Sequence, residues 1–263
     1  MKRPFQITYL TIVFAILYLP ILIVVVFSFN NSQRSLLWHG FTWHWYQLLF
    51  QDHDIFVTVG HSLSIGLLAS TIATILGAIA AITLYRYRFA GRHLINMLLF
   101  LLIIVPDLIL AIGWLLMFLF IHIPLGFWSL LIAHSSFCIP FVFVTVNSRI
   151  VQLNKYLIEA ARDLGAGETR ILLQILLPLL MPALLAGWLL SFTLSIDDTI
   201  ISYFVTGPEY QTLPLKIYAL VKVGMNPEIN ALCSIILLFT IAIVFLVYHF
   251  TIKRPSRLIG HAK

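Results

Sequence analysis

Long runs of apolar residues constrain the fold of this chain more than any other feature of its sequence. A helix that crosses the hydrocarbon of a bilayer needs about 20 largely apolar residues. Of the 263 residues, 61% are hydrophobic and 10% are charged, whereas a soluble domain carries about 25% charged residues. The pattern predicts an all-α integral membrane protein that forms a single domain over residues 1–263. Six runs reach the length of a span, at about 7–29, 60–84, 94–121, 127–148, 173–204 and 229–252.

The first apolar run follows two basic residues, Lys2 and Arg3, as the apolar segment of a signal peptide does. It is longer than the about 7–15 residues of such a segment, and no A-x-A cleavage site follows it. We therefore expect the first span to be retained as an uncleaved helix.

Basic residues are distributed unevenly over the loops that join the predicted spans. Thirteen of the 16 lysines and arginines lie in the N-terminus, in 85–93, in 149–172 or after Ile252. Cytoplasmic loops of membrane proteins carry an excess of Lys and Arg. Both termini and the loop 149–172 are therefore predicted to be cytoplasmic, and the net charge of +6 needs no nucleic-acid partner.

Several kinds of site are excluded by what the sequence lacks. The two cysteines, Cys138 and Cys233, stand far apart inside predicted spans, and the nine histidines are scattered singly. No metal site is predicted from such spacing. No G-x-x-x-x-G-K phosphate loop occurs either, so this chain is not expected to hydrolyse a nucleotide.

The loop 149–172 contains the most specific motif. Its apolar spacing predicts a short amphipathic helix, a break at Gly165 and a second helix that enters the membrane, since glycine adopts the backbone conformations of such a bend. The residues fit the pattern E-A-A-x3-G-x9-I-x-L-P at every position, from Glu159 to Pro178. This pattern is typical of the loop that couples ABC-importer permeases to their ATPase, and the chain resembles such a permease. The residues that the resemblance assigns to ATPase coupling are Glu159, Ala160, Ala161, Asp163, Gly165 and Glu168.

Further segments narrow the resemblance. GFTWHWYQLLF (40–50), VPDLILAI (105–112), AGWLLSFTLSIDD (186–198) and LPLKIYALVKVG (213–224) are similar to the spermidine/putrescine permeases, in particular to their PotC-like type. This resemblance implies a type I ABC-importer permease fold in a bacterial inner membrane. It also implies three partners: a homologous PotB-like permease, a cytoplasmic ATPase dimer and a periplasmic polyamine-binding protein. ATP and Mg²⁺ would bind to the ATPase, and no cofactor to this chain.

Three aspartates, Asp107, Asp197 and Asp198, lie inside predicted spans. A charged side chain at the centre of a bilayer costs about 2.5–3.5 kcal/mol, so an intramembrane acid is a functional candidate. The rise of a straight helix places all three in the outer half of the membrane. We expect Asp107 and Asp198 to face one another across a cleft that opens outwards, with Asp197 and Ser195 in support.

Such a cleft suits a cation, and separated carboxylates match the separated ammonium groups of a polyamine. Trp43, Trp45 and Tyr46 would cover the methylene groups of that ligand and stack on its ammonium groups, worth about 0.5–2 kcal/mol each. An aromatic belt at the membrane interface explains these residues equally well.

The segment 213–228 predicts a helix along the outer interface, then a restart with Asn226 as N-cap and Pro227 in the first turn. Its lysines, Lys216 and Lys222, would lie at the rim of a dock for an acidic binding protein.

Other functions explain less of the sequence. An intramembrane aspartyl protease needs a G-x-G-D motif, which is absent. A polyamine channel or antiporter outside the ABC class has no use for an ATPase-coupling loop. An anion permease would present cationic groups, whereas these spans present acids. Another small cationic substrate remains an alternative to polyamines.

Overall fold

The computed structural model describes residues 3–32, 37–154, 156–224 and 227–252, except the side chains of 3–5, 243–244 and 246–252. The described chain is almost entirely helical, which confirms the all-α prediction; one isolated backbone bridge joins Asn30 to Phe41. In chain order, the helices are α1 (Arg3–Phe27), α2 (His44–Gln51), α3 (His53–Arg86), α4 (Arg92–Ile104), α5 (Asp107–Phe120), α6 (Phe127–Ile150), α7 (Tyr156–Asp163), α8 (Glu168–Arg170), α9 (Leu177–Asp197), α10 (Ile200–Val205), α11 (Leu213–Val223) and α12 (Pro227–Ile252), with a π-helical segment (Ile171–Leu176) that joins α8 to α9.

Several of these helices are long and apolar enough to cross a membrane. Within the described residues, four helical segments each have the length and composition of a full span, namely Gln6–Phe27, His53–Arg86, Phe127–Ile150 and Glu168–Asp197. The pair α4 and α5 makes a fifth if the two count as one span. α12 is 26 residues long, with an apolar helical part from Pro227 to Ala242. Multiple membrane helices are thus confirmed, whereas the count of six stays a prediction.

The predicted spans 94–121 and 173–204 are not single straight helices. α4 and α5 meet at 113° across Val105 and Pro106. Proline has no N–H, and it pushes the preceding residue out of the helical region; Val105 is accordingly extended, with φ −66° and ψ 129°. In the predicted span 173–204, α9 ends at Asp197, and the backbone of Asp198 is extended before α10 begins. The straight-helix rise assumed from Arg92 to Asp107 is therefore interrupted by the bend, whereas α9 is continuous from Leu177 to Asp197 and the break follows that residue. The depths of both acids in the membrane stay predictions.

Contacts divide the chain into two compact units. One comprises residues 1–55 and 217–263, in which α12 packs against α1 and α2. The other comprises residues 56–216. In this second unit α6 supplies much of the core, with Leu130, Val142 and Phe143 fully buried.

Glycines let helices of the second unit approach closely. A Cβ built on Gly77 of α3 would lie 2.8 Å from the Val142 Cβ of α6, and one on Gly187 of α9 would lie 3.3 Å from Val142 Cγ1. Small residues at helix crossings are typical of membrane proteins, in which close van der Waals packing replaces the hydrophobic effect. α6 is thereby held between α3 and α9, and this packing positions its one histidine.

Candidate substrate and coupling sites

Asp198 is buried in a polar cluster between α6, α9 and α10. Its side chain is only 6% exposed. Oδ1 accepts a hydrogen bond from the Ile201 N–H at 3.1 Å, and Oδ2 accepts one from the Ser202 N–H at 2.8 Å. These are N–H groups that the short helix α10 cannot satisfy internally. Asp198 therefore caps α10, and both of its oxygens already have protein partners.

His134 of α6 lies beside this carboxylate. Its Nδ1 is 2.8 Å from Ser195 Oγ, and its Nε2 is 3.1 Å from Ser202 Oγ. The same Nε2 lies 3.4 Å from Asp198 Oδ2. The structure thus brings Ser195 and Asp198 together, as predicted, through a histidine that sequence reasoning missed. The rule that marks intramembrane ionisable residues would have found it, since His134 lies inside a predicted span.

The other two acids, Asp107 and Asp197, lie on the surface of this chain. Asp197, the last residue of α9, is exposed, as is Asp107, the first residue of α5. α5 packs against α10, with Ala111 and Ile201 buried in one cluster. Within the described part of the chain, no hydrogen bond or ion pair joins Asp107 to Asp198. The structure therefore shows one capped carboxylate, Asp198, and two open ones, and the expectation that Asp107 and Asp198 face each other across a cleft stays a prediction.

The aromatic residues of the other unit form their own cluster. Trp45 is 5% exposed, and its Nε1 donates a hydrogen bond of 2.8 Å to the Asn30 carbonyl. The Tyr46 hydroxyl pairs with Ser28 Oγ at 2.7 Å. Trp43 is 57% exposed. Trp45 thus anchors the turn after α1, while the exposed ring of Trp43 packs against Phe29, Phe41 and Tyr46.

The predicted coupling loop has the predicted conformation. α7 ends at Asp163, and Gly165 adopts φ +78° in the left-handed region, for which glycine has no steric penalty. The Ala166 N–H donates a hydrogen bond of 2.9 Å to the Ala161 carbonyl, which caps the C-terminal end of α7. Ala161 is buried against Ile171 and Leu176. This contact fixes one face of α7 and leaves Glu159, Ala160 and Asp163 exposed.

Glu168 joins α7 to the end of α3. Its Oε1 accepts hydrogen bonds from Arg162 Nε at 3.1 Å and Nη2 at 2.8 Å, and its Oε2 pairs with Arg86. The Arg86 side chain is only 6% exposed, whereas those of Glu168 and Arg162 are 54% exposed. One carboxylate therefore connects two cations on different helices. Arg86 is a second residue that sequence reasoning did not single out.

Known transport permeases are similar to this chain over most of its length. A family described as binding-protein-dependent transport system inner membrane component matches residues 73–256. The spermidine/putrescine transport system permease protein PotC of Escherichia coli K12 is 49% identical over 236 residues, which are 90% of this chain and 89% of that protein. Its Haemophilus influenzae counterpart is 46% identical over 90% of this chain and 93% of that protein. The putrescine transport system permease protein PotI of Escherichia coli K12 is 37% identical over 90% and 86%.

Solved structures agree on the fold. A chain of a bacterial ABC transporter involved in the import of the acidic polysaccharide alginate superposes with a TM-score of 0.73. It is 18% identical, and the match covers 97% of this chain and 99% of that one. A chain of the MetNI methionine transporter in an inward facing conformation gives a TM-score of 0.60 over 82% of this chain and 100% of that one, at 16% identity. At such identities the likeness concerns the fold alone.

Proposed function

The chain belongs to the family of binding-protein-dependent transport system inner membrane components, and from this premise we propose that it is the permease subunit of an ATP-driven importer of polyamines. It is a multi-pass protein of the inner membrane. The observation that carries the substrate class is the 49% identity, over 90% of the chain, to a permease for spermidine and putrescine. Identity of that extent covers the helix breaks that present the membrane acids.

The proposed transporter contains four kinds of subunit. A separate cytoplasmic ATPase dimer binds ATP and Mg²⁺, a periplasmic protein delivers the polyamine, and a PotB-like permease completes the membrane part. The exposed face of α7, held by the burial of Ala161 and followed by the turn at Gly165, supports the ATPase contact. In this arrangement the chain has six spans, a single domain and cytoplasmic termini.

Within the substrate path, we assign the direct ammonium contacts to the open carboxylates. Asp197 and Asp107 are exposed, and each lies at a helix break inside an apolar segment. Asp198 and Ser195 act one step behind them, because Asp198 caps α10 and Ser195 bonds His134. For Trp45 and Tyr46 the contacts support anchoring within their own unit, and their substrate role stays a prediction.

Transport by the complete complex in proteoliposomes tests this function. The permease pair, the ATPase and the binding protein are reconstituted, and uptake of labelled spermidine and putrescine is measured with ATP inside the vesicles. ATP-dependent accumulation of either polyamine, with no accumulation of lysine or choline, is expected. Uptake of another small cation in place of polyamines would overturn the substrate class, and uptake without the ATPase would favour a channel or antiporter.

A further inference from the structure

The break between α9 and α10 is bridged by a single side chain from α6. Ser195 lies in the last turn of α9, and Ser202 lies in α10, on the other side of the break. His134 bonds both hydroxyls, one with each ring nitrogen, at 2.8 Å and 3.1 Å. Its side chain is 1% exposed. The imidazole thus fixes the distance between the two helix ends.

The bridge is complete in hydrogen-bonding terms. A neutral imidazole donates from one nitrogen and accepts at the other, while a serine hydroxyl does either. Both ring nitrogens of His134 therefore find a partner in either tautomer. The carboxylate of Asp198 lies 3.4 Å from Nε2 of this ring, and Cys138, one turn further along α6, has its own partner in the Ser191 carbonyl. Since buried polar networks specify one arrangement when every member is satisfied, this one selects a particular geometry of the break.

The geometry of the break decides where the neighbouring acid points. Asp197 ends α9 directly before the extended residue Asp198. Asp198 is itself held by the α10 amides and lies 3.4 Å from His134 Nε2, whereas Asp197 is exposed. A rotation of α9 against α10 would therefore carry Asp197, the last residue of α9, to a different orientation relative to Asp198.

We propose that His134 is a positioning residue of the substrate path, which aims the Asp197 carboxylate by fixing the α9–α10 break. This inference rests on the proposed function, in which Asp197 meets the ammonium groups of the substrate. His134 itself touches no substrate in this scheme. Its effect passes through Ser195, Ser202 and Asp198 to the backbone of the break.

Two variants separate positioning from simple core filling. His134→Leu keeps the apolar packing but removes both hydrogen bonds, and His134→Gln keeps one donor and one acceptor. Val142→Ala is the matched control, because Val142 is fully buried on the same helix and contacts α3 and α9 without touching the break. Ser202→Ala removes one side of the bridge and carries the test if the leucine variant does not assemble.

The first measurement needs no transport. In a chain with Cys138→Ala and Cys233→Ala, the thiol introduced by Asp197→Cys is modified with a water-soluble methanethiosulfonate in the assembled complex. Adding His134→Leu or Ser202→Ala is expected to change the modification rate by about fivefold or more, since local opening governs access. Val142→Ala should leave the rate unchanged, and His134→Gln should restore it in part. An unchanged rate in both the leucine and alanine variants would overturn the positioning role.

The second measurement keeps Asp197 and records polyamine uptake. His134→Leu is expected to raise the KM about tenfold, equivalent to about 1.4 kcal/mol of lost binding, while Val142→Ala leaves the KM in place. A fall in maximal rate at constant KM would indicate damaged assembly instead and would contradict the inference. A failure of the proposed function can be told apart from a failure of this inference. If Asp197→Asn transports normally while the modification rates respond to substitution of His134, then His134 positions the break as inferred but Asp197 does not lie in the substrate path.

Discussion

The two roles available to Asp198, helix cap and direct ammonium ligand, predict different orders of severity for its substitutions. Alanine removes both oxygens and orphans the N–H groups of Ile201 and Ser202, which are fully buried residues. A buried donor without a partner costs about 1–3 kcal/mol, so Asp198→Ala should cost about 2–6 kcal/mol locally. Asparagine keeps one carbonyl oxygen and is as good an N-cap as aspartate. Asp198→Asn should therefore cost no more than about half as much.

A direct ligand would give another order. Both substitutions remove the negative charge, so an ammonium group would lose its counter-ion equally in each. Uptake would then fall to the same low level in Asp198→Asn and Asp198→Ala. Because Asp197 is exposed and caps nothing in the described structure, its asparagine and alanine variants should resemble each other in every assay.

The assay combines stability with uptake. Purified complexes carrying each variant are heated, and the temperature at which half of the protein leaves the monodisperse peak is recorded; uptake is measured in membranes with matched protein levels. We expect the alanine variant of Asp198 to lose the most stability and transport, the asparagine variant to lie between it and wild type, and Asp197 variants to lose transport alone. Wild-type stability with equally abolished uptake in both Asp198 variants would refute the capping role as the reason for its burial.

Three further predictions concern the rest of the second unit. Gly165→Ala places a Cβ at φ +78°, which costs about 1–2 kcal/mol. Gly165 is exposed and nothing in this chain lies within 4 Å of that Cβ, so stronger uncoupling of ATP hydrolysis from uptake in Gly165→Leu would reveal a docked partner, and equal effects would argue against one. Glu168→Gln should raise the ATP consumed per polyamine, because the amide keeps one acceptor oxygen but no charge and so weakens the connection of α7 to α3; an unchanged ratio would exclude that role. Gly77→Ala should lower the unfolding temperature, since overpacking costs about 1–3 kcal/mol and Val142 lies 2.8 Å from the added atom; Gly113→Ala, which meets nothing within 4 Å, is the control, and equal shifts would contradict the packing argument.

Periodicity and motif spacing predicted the helical class, the conformation of the loop 149–172 and the helix α11, because each depends on residues close together in sequence. The predicted conformation of the loop is confirmed down to the left-handed glycine, whereas its role in ATPase coupling stays a prediction. The helix after 225–226 begins at Pro227 as expected, whereas its predicted N-cap, Asn226, lies outside the described residues. These features follow from local backbone preferences, which a sequence displays directly.

The breaks at Asp107 and Asp198 were missed for different reasons. Pro106 gave a local signal, since proline disfavours the helical region at the preceding residue, but the apolar run around it obscured that signal. The break at Asp198 has no proline or glycine to mark it. It depends on a side chain that competes for backbone amides and on a histidine 64 positions earlier in the chain. A contact of that sequence separation becomes visible only when α6 and α9 are packed.

The burial of Asp198 also answers why two adjacent carboxylates occupy an otherwise apolar segment. Ending a helix inside a membrane exposes amides that no water satisfies, and each unsatisfied group costs several kcal/mol. A carboxylate accepts hydrogen bonds from two such N–H groups at once, and Asp198 accepts them from Ile201 and Ser202. The break that it stabilises leaves the preceding residue, Asp197, free to face away from the packed helices. One aspartate thus makes the interruption of the helix tolerable, and in the proposed function the interruption presents the other, Asp197, to a cation.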